Sequence, residues 1–110
     1  MKVDKKGHTT IIKETRGDIK AFIENIATEY KTFEKQNLIL DVSNDQKVGM
    51  SDLVNFKDLV KQHQKAKKSL VIVAENIDFN ETPDYLIVVP SVLEAQDIIE
   101  MDEIQRDLGF

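Results

Sequence analysis

Three short apolar runs constrain this chain more than anything else in it: Leu38-Ile39-Leu40-Asp41-Val42, Ser69-Leu70-Val71-Ile72-Val73-Ala74 and Tyr85-Leu86-Ile87-Val88-Val89. Each is strand length and rich in branched residues, and none alternates cleanly between apolar and polar. Strands that are apolar at successive positions are buried on both faces, the habit of parallel sheets covered by helices. Parallel neighbours need crossovers of about a dozen residues or more, and right-handed crossovers are the expected hand. The interval from Ser43 to Lys68 exceeds that length, and Glu75 to Asp84 is just long enough.

The stretch from Leu38 to Lys68 is the organising unit and reads strand, loop, helix. Ser43 to Met50 is the loop, with Gly49 near its end. Ser51 then precedes an amphipathic pattern, with Leu53, Phe56, Val60 and His63 on one face and an end near Lys67. Serine is a favoured N-cap, so the sequence predicts Ser51 at the mouth of this helix. Lys65, Lys67 and Lys68 suit the negative end of its dipole.

Elsewhere the signals are local. Val3 to Ile12 reads as a hairpin, turning at Gly7 and His8. Asp18 is the expected N-cap of a helix carrying Ile19, Phe22, Ile23, Ile26, Ala27, Tyr30 and Phe33 at helical spacing. Glu75 to Asp84 is a polar crossover anchored by Ile77 and Phe79, with room for one helical turn, and Pro83 bars a longer one. Ser91-Val92-Leu93-Glu94 matches a capping box, opening a final helix through Val92, Ala95, Ile98 and Ile99 to Met101, Ile104 and Leu108. Gly109 is its stop signal, next to Phe110. The predicted architecture is a single α/β domain over residues 1–110: a mixed sheet with an antiparallel starting hairpin and a parallel centre, covered by about three main helices.

Composition excludes several chemistries. The chain has 110 residues and no cysteine, which removes disulfides, thiolate nucleophiles and cysteine metal sites. Its two histidines, His8 and His63, lie in different elements without ligand spacing. The four glycines are isolated and form no phosphate-cradling loop. Ser43, Ser51, Ser69 and Ser91 lack the context of a nucleophile elbow. A non-enzymatic protein without cofactor or metal is the expectation. Met1 to Lys6 shows no signal-peptide run, and no apolar run approaches the ~20 residues needed to cross a bilayer. A cytoplasmic protein, monomeric or weakly dimeric and binding neither membrane nor nucleic acid, is expected. The net charge of −5 is uneven: residues 75–110 hold ten acidic residues and one basic residue, Arg106. An acidic surface of that kind either faces solvent or steers a basic partner.

At this level of detail the chain resembles the STAS domain family, the fold of bacterial anti-sigma-factor antagonists. Lys2 to Ile12 is similar to the family's opening strands. Leu38 to Ser43 resembles its central strand, an apolar run ending Asp-Leu-Ser. Val48-Gly49-Met50-Ser51-Asp52-Leu53 falls where the family carries an apolar residue, Asp-Ser-Ser-Gly and leucine. Val89 to Ala95 resembles the last strand and the start of the last helix. Gly49, Met50 and Asp52 depart from the motif, and Ser51 alone keeps the register of the residue that family members phosphorylate. The resemblance implies a regulatory interaction module whose switch is Ser51. It also implies a protein partner, either an anti-sigma-factor-like kinase or another regulator. The surface around the switch comprises Ser43, Asn44, Gly49, Met50, Asp52, Asn55 and Asn76. The alternative is a small-ligand site, nucleotide-like in kind, at the carboxyl ends of the strands and lined by Ser43, Asn44, Gly49, Ser51 and Asn76, where open α/β sheets often bind.

Overall fold

The computed structural model describes residues 1–109. Five strands form one sheet in the order of the chain: β1 (Lys2–Lys6), β2 (Thr9–Lys13), β3 (Asn37–Asp41), β4 (Leu70–Val73) and β5 (Val88–Val89). β1 and β2 are antiparallel and every later pair is parallel, which is the mixed arrangement expected. Lys6 pairs with Thr9, so the hairpin turns on Gly7 and His8 alone. Gly7 has φ +60°, a left-handed value that glycine adopts without a Cβ penalty.

Register sorts side chains onto two faces. Ile12, Leu40 and Ile72 align across β2, β3 and β4, while Ile11, Ile39 and Val71 align one position earlier and point the other way. The first face is covered by α1 (Ile19–Thr28), α2 (Tyr30–Phe33), α3 (Met50–Leu53) and α4 (Lys57–Lys65), through Phe22, Ile26, Leu53, Phe56 and Val60. The second face is covered by α5 alone (Val92–Asp107), through Ala95 and Ile99. β3 is buried at all five positions and β4 at all four, as their unbroken apolar character requires.

Several boundaries depart from the sequence reading. Asp18 caps α1 as expected, accepting the Ala21 N–H at 3.0 Å, but the helix is interrupted at Glu29 and resumes as the single turn of α2. The helix assigned to Ser51–Lys67 begins at Met50, tightens into a 3-10 turn over Val54–Phe56 and ends at Lys65. The crossover does hold one short turn, Phe79–Glu81; Ile77 is buried, but Phe79 is 42% exposed and belongs to neither core cluster. The largest correction is the third apolar run. Only Val88 and Val89 form a ladder, at the sheet edge, and both are half-buried. Pro83 to Tyr85 forms a turn, with Leu86 N–H bonded to the Pro83 carbonyl, and this consumes the first residues of the run. An edge strand has one neighbour, so its apolar residues are only partly covered.

Candidate functional site

The loop after β3 is held by its own short polar side chains. The Asp41 carboxylate accepts the Ser43 N–H at 3.0 Å and the Ser43 hydroxyl at 2.6 Å. Asp45 accepts the Lys47 N–H at 3.0 Å, and Val48 is buried beneath the loop. Local bonding of this kind is what Asp and Ser offer the backbone outside regular structure. The helix then opens at Gly49, not at Ser51. Gly49 is in an extended conformation as N-cap, and Asp52, three residues on, accepts its N–H at 2.9 Å. Glycine has no side chain to return that bond, so only the acidic half of a capping box exists. The spacing of Gly49 and Asp52 carried this signal, but the preference for serine at N-caps outweighed it. Ser51 is left as the second residue of the first turn, exposed to solvent and capping nothing.

The remaining predicted residues divide. Asn55 is exposed one helical turn beyond Ser51, where an i, i+4 neighbour shares its side. Met50 is half-buried against the core. Asn44 is exposed, and Asn76 is exposed after β4 with φ +58°. Two hollows lie beside this region. One, of about 520 Å³, is lined by Ile19, Lys20, Ile23, Glu24, Asp52 and Asn55. The other, of about 290 Å³, runs between Gly17–Lys20 and Asp45, Val48 and Asp52. Asp52 belongs to both, whereas Ser43, Asn44, Gly49, Ser51 and Asn76 line neither. The structure therefore brings together Ser51, Asp52 and Asn55, and does not gather the other residues into one pocket.

A second polar cluster, unforeseen from sequence, lies at the opposite end of the sheet, where β3 and β4 begin. His63 is fully buried. Its Nε2 is 2.7 Å from the Gln36 carbonyl oxygen and its Nδ1 is 2.7 Å from the Tyr30 hydroxyl. A carbonyl only accepts, so Nε2 carries the proton, and neutral Nδ1 accepts from the tyrosine. Burial pushes the imidazole below its ordinary value; the bond to Gln36 opposes this, and the positive charges of Lys68 and Arg106 reinforce it. Burial also raises the Tyr30 phenol, with Glu34 adding to the effect.

Beside this pair, Arg106 of α5 donates to the Ser69 hydroxyl at 3.0 Å and to the Asn37 side-chain oxygen at 3.2 Å. The Ser69 hydroxyl donates to Asp102 at 2.8 Å, the Ser69 N–H donates to Asn37 at 3.0 Å, and the Asn37 amide donates to Glu103. These bonds tie the C-terminal half of α5 to the first residues of two central strands. An open cavity of about 580 Å³ adjoins them, between Lys67, Lys68, Tyr85 and Arg106. Among the described residues no group of three or more His, Cys, Asp or Glu could hold a metal ion. No described helix is long and apolar enough to cross a membrane. The cluster draws its members from α2, α4, α5 and two strand starts, and sequence offers only indirect hints: polar Asn37 and Ser69 at the thresholds of apolar runs, and Arg106 as the lone base of an acidic third.

Comparison with protein-family models and with curated proteins returned no match to this chain.

Proposed function

We propose that this chain is a non-enzymatic regulatory module of the STAS type, docking a protein partner through the helix turn that carries Ser51. The observation that carries the reading is the presentation of Ser51. It is exposed at the start of a helical run, immediately after a loop fixed by Asp41, Asp45 and Asp52 through backbone hydrogen bonds. A hydroxyl on such a rigid ledge is accessible to a modifying enzyme and reports any added charge directly to a surface-bound partner. The five-stranded order and mixed sheet suit the same family.

Phosphorylation at Ser51 would add roughly −1.5 to −2 charges. The new group would meet the positive end of the helix, but Asp52 already occupies that end by accepting the Gly49 N–H. The phosphate would therefore project outward and alter the docking face instead of capping the helix. The test is affinity capture from native lysate with wild type, Ser51→Ala and Ser51→Glu. The reading expects a defined protein retained by the first two and lost with the third. Equal retention by all three would remove Ser51 as the switch. A small ligand at the strand carboxyl ends is the less favoured reading, since the residues expected to share a pocket there line neither adjoining hollow.

A further inference from the structure

The most exposed large apolar side chains among the described residues gather on and at the end of α5. Leu93, Met101, Ile104 and Leu108 are 68%, 61%, 55% and 67% exposed. At about 100° of rotation per residue, positions 93, 97, 101, 104 and 108 fall within an arc of roughly 80°. The residues that α5 buries, Ala95 and Ile99, lie on the opposite side of the helix. The helix thus has two apolar stripes, one against the sheet and one facing out. The rotation is not free: Arg106, Asp102 and Glu103 bond to Ser69 and Asn37 on the inner side and hold the outer stripe outward.

Scattered exposed apolar residues are ordinary, but an aligned stripe spanning about four helical turns marks a binding surface. Charge identifies its occupant. The outer half of α5 carries Glu94, Asp97, Glu100 and Asp107, all exposed, and Asp97 stands within the stripe itself. The single base of the helix, Arg106, is engaged on the inner side.

We propose that the outer face of α5 docks a basic amphipathic helix. Leucine-like anchors on such a partner fill the spaces between Leu93, Met101, Ile104 and Leu108. Its lysines or arginines meet the flanking acids, and one of them reaches Asp97. A second copy of this chain fits poorly. Antiparallel pairing of two α5 helices would set Asp97 against Ile104 and bring the acidic flanks together without a countercharge. This surface lies across the sheet from Ser51 and does not depend on the reading proposed for that residue.

The test uses the whole chain and a labelled synthetic helix of about 18 residues, with leucine at i, i+3, i+4 and i+7 positions and lysine between them. A scrambled peptide of the same composition and a leucine–glutamate analogue serve as controls. Fluorescence anisotropy should show saturable binding of the lysine peptide that weakens with salt, and little binding of either control. Ile104→Ser with Leu108→Ser should weaken it tenfold or more, and Asp97→Lys should weaken it while leaving the circular dichroism spectrum unchanged. Three results would each overturn the proposal: equal affinity for the scrambled peptide, affinity indifferent to the α5 substitutions, or a concentration-dependent dimer in sedimentation that Ile104→Ser abolishes.

Discussion

Acidifying the solution should destabilise this protein through one buried residue, His63. In the folded state the ring is buried and neutral, donating to the Gln36 carbonyl and accepting from Tyr30. Its value is lowered chiefly by burial. An unfolded histidine has an ordinary value of about 6.5, so as the pH falls through 6.5 the unfolded chain takes up a proton that the folded chain refuses. Stability from this group is complete well above pH 6.5, declines as the pH falls, and stops declining at the lowered folded value. Proton uptake by the unfolded state alone caps the loss at about 1.4 kcal/mol near pH 5.5. That is a substantial share of the roughly 5–15 kcal/mol that holds a small domain together.

Urea denaturation followed by circular dichroism at about pH 8 and about pH 5.5 measures the effect. Wild type should lose up to about 1.4 kcal/mol more than His63→Gln over that interval. Tyr30→Phe adds a second arm. It leaves Nδ1 buried without its donor, which costs about 1–3 kcal/mol at pH 8, where the histidine is neutral in both states. A pH-dependent loss no larger in wild type than in His63→Gln would refute the assignment of His63 as the titrating group. A Tyr30→Phe variant as stable as wild type would refute the hydrogen-bond scheme.

Two further substitutions probe places where local rules are broken. Lys67 sits at φ +60° just beyond α4, where its N–H bonds the Gln64 carbonyl and the next N–H bonds that of His63. Helix ends of this geometry favour glycine, so Lys67→Gly should raise stability by about 1 kcal/mol; a loss would show that the lysine side chain contributes more than its backbone costs. Ile104→Ser should leave the thermal midpoint nearly unchanged, because an exposed side chain that supports no core contact alters stability by only about 0.5 kcal/mol in either direction. A drop of several degrees would mean that the outer stripe of α5 supports the monomer.

The fold was legible wherever one physical signal dominated. The unbroken apolar character of Leu38–Leu40 and Leu70–Val73 dictated parallel strands buried on both faces, and both lie at the sheet centre. Asp18 and Ser91 were readable as caps because a short polar side chain before an apolar helical pattern has few other uses; both accept N–H groups three residues on. Legibility failed where two signals competed. At Tyr85–Val89 the same apolar character pointed to a strand, while Pro83 imposed a turn, and the turn prevailed over the first residues. At Gly49–Asp52 a serine preference competed with an acidic residue at the third helical position, and the acid prevailed. The cluster around His63 and Arg106 left only indirect hints in the sequence, because its distances arise only once β3, β4, α2, α4 and α5 are assembled.

The geometry also separates the two surfaces proposed for function. Ser51 belongs to the helical layer with α1 and α4, whereas α5 lies alone on the other face of the sheet. Packed layers stand about 10 Å apart, so a charge on the Ser51 side acts on a partner at α5 across two such spacings. That exceeds the Debye length of about 8 Å at physiological ionic strength. Direct repulsion between a phosphate at Ser51 and a helix on α5 is therefore screened. Any linkage between them has to pass through the sheet, whose central strands are fully paired and buried. Among the described residues, the side-chain hydrogen bonds from α5 to the starts of β3 and β4 enter through Asn37 and Ser69, at the strand ends remote from Ser51. A sheet joined to α5 at its far end transmits little, so if both proposals hold, a partner on α5 and one at Ser51 should bind independently of each other.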